Sequence, residues 1–241
     1  MQDAKNDRTA GELSLKSAAL ISGAGLLVMA FSAPFAHFYF IAGSVVADDP
    51  AATLVNLQTD GAPYLLGGVL LFITYVMDVL VAWGLYWYLR PGNIALAQLV
   101  AWARLVYTAL AFVALWPYFS AYDLATDSAV TGLLSSIELQ RQVFIQISMA
   151  NSMESVALFF FGAHLWFLSV LIWQSRHVPS WLAVVVGLAG ASYVISFVTK
   201  YFAPEIVLDW LLLLAIGELV FMGWLLAVGW RKVPEYQSQQ P

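Results

Sequence analysis

Six long runs of hydrophobic residues, separated by short polar stretches, dominate the chain. They cover about residues 17–46, 63–89, 94–118, 144–173, 181–202 and 207–230. Each run is long enough for an α-helix to cross a lipid bilayer, which takes ~20 residues. The pattern predicts an all-α bundle of six transmembrane helices within a single domain, residues 1–241, with polar tails at 1–16 and 231–241.

Capping and turn residues divide these runs. Asp49 followed by Pro50 predicts the start of a short helix on the membrane surface, over about 51–58. Arg90-Pro-Gly-Asn93 predicts a tight turn. Residues 131–142 have the pattern of an amphipathic helix. Pro34 predicts a kink in the first transmembrane helix.

The first hydrophobic run also resembles a secretory signal peptide. Lys16 precedes an apolar stretch, and small residues surround Pro34, as at a cleavage site. The apolar run nevertheless continues to Val46, which is too far for a signal peptide. An uncleaved first helix is therefore predicted, although cleavage would leave the remaining helices in the same orientation.

Composition agrees with a membrane protein and excludes several functions. The chain is 61% hydrophobic and only 10% charged, whereas a soluble domain has roughly 25% charged residues. The lipid bilayer is thus the expected environment. A net charge of −5 without a basic cluster argues against nucleic-acid binding. The absence of cysteine excludes disulfides and thiolate metal sites.

Lysine and arginine are unevenly distributed between the two faces of the predicted bundle. If the N-terminus is cytoplasmic, only Arg141 and Lys200 of the ten cationic residues lie on the outer side. Because cytoplasmic loops carry the excess of positive charge, both termini are predicted to be cytoplasmic.

Four ionisable residues fall at the same depth in four different helices. Asp78, Arg104, His164 and Glu218 each lie ten to twelve residues from the nearest inner boundary, or about 15–18 Å at ~1.5 Å per residue. A charged group there costs about 2.5–3.5 kcal/mol if it faces lipid. We therefore expect the four to face one another inside the bundle, with Asp78 and Arg104 as an ion pair.

Other residues are possible contributors to this layer. Tyr75 and Thr108 share helical faces with Asp78 and Arg104, and Trp102 and Trp166 lie just inward, where one could stack on the guanidinium. Glu154 either borders a vestibule at the outer side or marks the wetted start of the fourth helix, and the second interpretation is favoured.

Three functional interpretations remain open. The cluster binds a small polar ligand, a lipid headgroup or a proton for transport or sensing; it only fixes helix packing in an accessory or scaffold protein; or, least favoured, it catalyses a reaction. His37 and His177 are predicted too far from His164 to share a metal or haem with it. No catalytic residue, metal ligand or cofactor is predicted.

Several segments resemble the bacterial membrane family catalogued as domain of unknown function 4386. They are DVLVAWGLYWYLRPGN (78–93), ARLV (103–106), FGAHLWFLSVLI (161–172), VPSWLAVVVGLAG (178–190) and Gly217-Glu218 before Trp224-Leu-Leu. The resemblance covers about residues 15–232, although Trp181 stands where the family often has a basic residue. It implies a six-helix membrane fold and assigns no activity or catalytic residue. We expect the protein to lie in the cytoplasmic (inner) membrane.

Overall fold

The computed structural model describes residues 13–206 and 208–230, and the ordered elements in these ranges are helices. Six helical segments are long and apolar enough to cross a membrane. The predicted fold class, an all-α protein with six transmembrane helices, is thereby confirmed. An even number of spans places the beginning of the first and the end of the last at the same face, here called the terminal face. The other is the cap face.

The elements follow the hydrophobic runs with some differences in their ends. The α-helices are α1 (Leu15–Pro34), α2 (Pro50–Asp60), α3 (Ala62–Leu89), α4 (Ile94–Thr126), α5 (Ser128–Thr131), α6 (Ser136–Gln174), α7 (Trp181–Phe202) and α8 (Ile216–Trp230). A 3-10 helix, Asp209–Ala215, precedes α8, so the last span is not α-helical throughout.

The first span changes its helical form at the proline. After Pro34 the chain continues as a π-helix over Phe35–Ile41, and a last α-helical turn follows at Ala42–Ser44. Proline lacks the N–H of a regular helix and its ring crowds the preceding turn, so a disturbed hydrogen-bond pattern is expected there. The π-helix contains His37, which makes its position important for the polar groups described below.

Side-chain caps explain where several helices begin. The Asp49 carboxylate accepts a hydrogen bond from the Ala52 N–H and begins α2, with Pro50 in the first turn. The Asn93 side chain caps α4 by accepting from the Leu96 N–H at 3.0 Å. Ser135 caps α6 in the same way.

Helices α4 and α6 are much longer than the hydrophobic pattern indicates. With 33 and 39 residues, they extend ~50 and ~58 Å, well beyond a hydrocarbon core of ~30 Å. Of the amphipathic helix predicted over 131–142, residues 136–142 are helical and form the beginning of α6. The apolar face of the start of α6 packs in a second core with α2 and the end of α4. The start of α6, α2 and the end of α4 are together called the cap.

The six spans form a closed circuit of helix contacts. Each of α1, α3, α4, α6 and α7 packs against the next span in the chain, and α8 packs against both α7 and α1. The main hydrophobic core lies inside this circuit and draws residues from all six spans. Side chains on the inner faces of the helices are therefore shielded from lipid.

Glycine allows α6 and α7 to approach backbone to backbone. A Cβ on Gly190 would lie 2.8 Å from the Gly162 carbonyl oxygen, and one on Gly162 would lie 2.7 Å from the Gly190 oxygen. Gly223 on α8, in contrast, has open space around it. Small residues serve close helix contacts in membranes in this manner.

We expect Gly190→Ala to destabilise the protein and Gly223→Ala to be neutral or stabilising. The first change overpacks a helix contact, which costs about 1–3 kcal/mol, whereas the second gains up to ~1 kcal/mol of helix propensity. Thermal unfolding midpoints in detergent, read by size-exclusion chromatography, measure the difference. Equal midpoints for the two variants would contradict the close packing of α6 on α7.

Candidate functional site: the buried charge cluster

Asp78 on α3 and Arg104 on α4 form an ion pair inside the bundle. The Asp78 Oδ1 atom lies 2.5 Å from Arg104 Nη2, and the two side chains are 0% and 1% exposed. On α3 the buried positions Thr74, Tyr75, Asp78 and Ala82 recur at helical spacing. That spacing turns the Asp78 side of the helix toward the core and brings the carboxylate to its neighbour on α4.

His164 on α6 joins this pair. Its Nδ1 donates to the Val100 carbonyl at 2.9 Å, and its Nε2 lies 3.2 Å from Arg104 Nη1. An imidazole that donates from Nδ1 and accepts at Nε2 is in its neutral form. Asp78, Arg104 and His164, called the buried charge cluster, thus carry one negative and one positive charge and no net charge.

Helix α1 and an aromatic ring complete the surroundings of Arg104. Met29 Sδ lies 3.8 Å from the guanidinium, and Phe161 on α6 places its ring centre 5.4 Å from the guanidinium carbon. The Thr108 hydroxyl donates to the Arg104 carbonyl at 2.8 Å, so it bonds within its own helix. Arg104 therefore connects α4 to three other spans.

Trp102 and Trp166 do not contact the guanidinium. They are 63% and 56% exposed and point out of the bundle, toward the space that lipid occupies. The ring beside Arg104 belongs to Phe161 instead. The depth of a residue along a helix gives its level in the membrane but not the direction in which it points, which explains the difference.

Glu218 lies near the cluster but bonds elsewhere. Its Oε1 accepts a hydrogen bond of 2.9 Å from the Tyr193 hydroxyl, which joins α8 to α7. Its charge is within electrostatic reach of Arg104 and Asp78, while the partners of His164 are Arg104 and Val100. Tyr193 is a polar neighbour that no sequence pattern indicates. It lies three residues after the close-packed Gly190.

The ion pair is neutral but incompletely hydrogen-bonded. The 2.5 Å contact is short enough to be a charge-assisted hydrogen bond from Arg104 to Asp78, and Tyr107 lies close enough to hydrogen-bond the same carboxylate. Arg104 Nε has no hydrogen-bond partner among the described residues. An unsatisfied buried polar group costs roughly 1–3 kcal/mol, so the cluster has free donor capacity inside the bundle.

A second polar site lies nearer the cap. His37 Nε2 is 3.0 Å from Glu154 Oε1, which links the π-helix after α1 to α6, and these side chains are 34% and 22% exposed. The pair lines a cleft between the π-helix, α3, α4 and α6 that Tyr75 also borders. Since α6 begins at Ser136, Glu154 does not lie at the start of a helix.

Metal binding finds no support in the geometry. Within residues 13–206 and 208–230, no three side chains of His, Cys, Asp or Glu lie close enough together to hold a metal ion.

Removing one partner of the ion pair should destabilise the fold, and removing both should restore much of it. Asp78→Leu leaves the Arg104 cation buried without a counter-ion, which costs about 3–5 kcal/mol, whereas a well-packed apolar pair is often neutral. We therefore expect Asp78→Leu to lower the folded yield strongly and Asp78→Leu with Arg104→Met to recover most of it. Yields are measured by fluorescence-detected size-exclusion chromatography.

An Asp78→Leu variant with wild-type yield would contradict the pairing. Asp60→Leu, at an exposed position on the cap, is the matched control and should keep its yield.

The comparisons with known proteins agree with this architecture. The chain is 29% identical over 187 residues to an uncharacterised protein of Archaeoglobus fulgidus, an alignment that covers 77% of this chain and 94% of the relative. This relative is archaeal. No solved structure matches the chain. The family model described as "Domain of unknown function (DUF4386)" matches residues 21–229, and the chain belongs to this family.

Proposed function

We propose that the buried charge cluster binds a small polar ligand, and that the protein uses this binding in transport or sensing. The observation that carries the proposal is the free donor capacity of Arg104 Nε in a charged layer that is 0–1% exposed. A ligand with an acceptor group would satisfy this donor.

The energetics of buried ion pairs support a ligand. If the pair only held helices together, its attraction would best offset the cost of desolvating both charges when every polar atom had a hydrogen-bond partner. Here Arg104 Nε has no partner among the described residues, and a lost hydrogen bond of a charged group is costly in such an interior. Ionisable groups inside a membrane are also more often functional than structural.

The depth of the site favours a small solute over a lipid. The cluster lies about 15–18 Å from the terminal face on the rise of an α-helix, and Asp78, Arg104 and His164 are closed off from the surface. A lipid headgroup would have to leave the interface and enter the bundle to reach them.

We also propose that the terminal face is cytoplasmic and that the protein resides in the cytoplasmic membrane. Among the described residues Lys16, Arg90 and Arg176 lie toward the terminal face, and Arg141 and Lys200 lie toward the cap. The cap carries many carboxylates. The excess of positive charge at the cytoplasmic side supports this orientation.

A structural role is the second candidate. The direct contact of Asp78 with Arg104 and of Arg104 with His164 fixes the rotation of α3, α4 and α6 relative to one another. In this case the cluster needs no ligand, and replacement by an apolar pair would preserve every property of the protein.

A retained ligand distinguishes the two candidates. We expect mass spectrometry of the protein, released gently from its native membrane, to detect a co-purified small molecule. Asp78→Asn should reduce its amount at least tenfold, because the amide alters charge and hydrogen bonding at nearly constant size. Asp60→Asn, on the exposed cap, is the control and should leave it unchanged.

Absence of any retained molecule other than lipid, or equal retention by wild type and Asp78→Asn, would favour the structural role.

A further inference from the structure

The His37–Glu154 pair is partly exposed at the surface of the bundle. The two side chains are 34% and 22% exposed, in contrast to the closed cluster below them. The cleft that they line has a volume of about 20 Å³ for the centre of a water molecule, which is room for one water. A ligand at this pair must therefore be very small.

We propose that the His37–Glu154 pair is a proton-binding site that exchanges with water at the cap face and is electrostatically coupled to the buried charge cluster. The proposal rests on the ligand-binding function above and adds the proton as a second ligand. Uptake of one proton changes the charge of the pair from −1 to 0.

Imidazole next to carboxylate is a suitable proton acceptor. Histidine is the side chain whose ordinary charge change falls between about pH 5 and 8. The Glu154 carboxylate, 3.0 Å away, stabilises the imidazolium form by its opposite charge. Both groups are partly exposed, and in this proposal that exposure lets protons enter and leave from the cap face.

The π-helix positions His37 for this contact. The Ala42 N–H donates to the His37 carbonyl, a bond five residues apart that widens the turn. The widened turn shifts side chains relative to a regular helix and recurs at functional sites. Pro34 directly precedes the π-helix, so the local sequence explains why the end of the first span is not a regular α-helix.

In this proposal His37 and Glu154 take up the proton, and the other groups that face the pair do not. Tyr75 of α3, Tyr118 of α4 and Asn151 of α6 line the cleft with them, and Glu154 is its one carboxylate. On α7 the Lys200 ammonium donates to the Asn151 carbonyl at 3.4 Å and contacts the Ser155 hydroxyl. It thus bonds beside Glu154 and not to it.

The cap supplies an electrostatic field that attracts protons. The described carboxylates in and beside the cap outnumber the two described cations on that side, Arg141 and Lys200; they are Asp48, Asp49, Asp60, Asp123, Asp127 and Glu138. Acidic groups around a narrow opening raise the local concentration of cations.

Tyr75 connects the proton site to the cluster. It lines the cleft with His37 and Glu154, lies three residues before Asp78 on α3 and is 4% exposed. Charge interactions are weakly screened in such an interior. The proposed coupling acts across this one turn of α3.

Nitrogen-15 NMR of the histidines tests the proposal directly. The chain has three histidines, so selective labelling of the full-length protein in lipid nanodiscs gives one imidazole for each of His37, His164 and His177. Signals are assigned with His177→Gln and His37→Gln. We expect the His37 signals to change from neutral to charged between about pH 8 and 5, and the His164 signals to shift in step without becoming charged.

Glu154→Gln should reduce the charged fraction of His37 at least threefold at the pH where half of the wild type is charged. Glu138→Gln on the same helix, at an exposed position, is the matched control and should leave it unchanged. His37 signals that stay in one form over the whole range, or that ignore Glu154→Gln, would overturn proton binding. An unchanged His164 would overturn the coupling.

If Glu154→Gln does not fold, the titration of His37 in the wild type still tests the proposal. A His37 that fails to titrate overturns this proposal alone, because ligand retention at the cluster is measured separately.

Discussion

The contact between Asp78 and Arg104 is the constraint on which the bundle depends. Two charges in the middle of a membrane are tolerated only if they neutralise each other away from lipid. Meeting this condition fixes the rotation of α3 and α4 about their axes. His164 extends the constraint to α6 because it bonds to Arg104 and to the α4 backbone at Val100.

Polar groups in the bundle lie at two levels. The lower is a closed, neutral cluster with unsatisfied hydrogen-bonding capacity, and the upper is an open pair in a narrow cleft. Tyr75 lies between them. A protein that only needed rigid packing would have no use for a titratable pair at the mouth of a cleft, whereas one that binds a solute or a proton would. The proposed function and the proton site rest on this arrangement.

Some of this architecture followed from the sequence and some did not. Hydrophobic runs determine where chains cross a membrane, so the six spans were predictable. The pairing of Asp78 with Arg104 was predictable because adjacent antiparallel helices bring equal depths together. The depth of a residue along its helix does not give the direction of its side chain. The outward orientation of Trp102 and Trp166 was therefore not predictable. The His37–Glu154 contact was missed because a π-helix and an early start of α6 moved both residues from their expected surroundings.

The most direct test of the central claim is a distance measurement in a lipid bilayer. Solid-state NMR on protein labelled with ¹³C in aspartate and ¹⁵N in arginine reports dipolar coupling between the Asp78 carboxyl carbon and the Arg104 guanidinium. Contact predicts strong coupling from one carboxylate, assigned because its signal disappears in Asp78→Asn. A guanidinium at position 104 with no coupling to Asp78 would contradict the account.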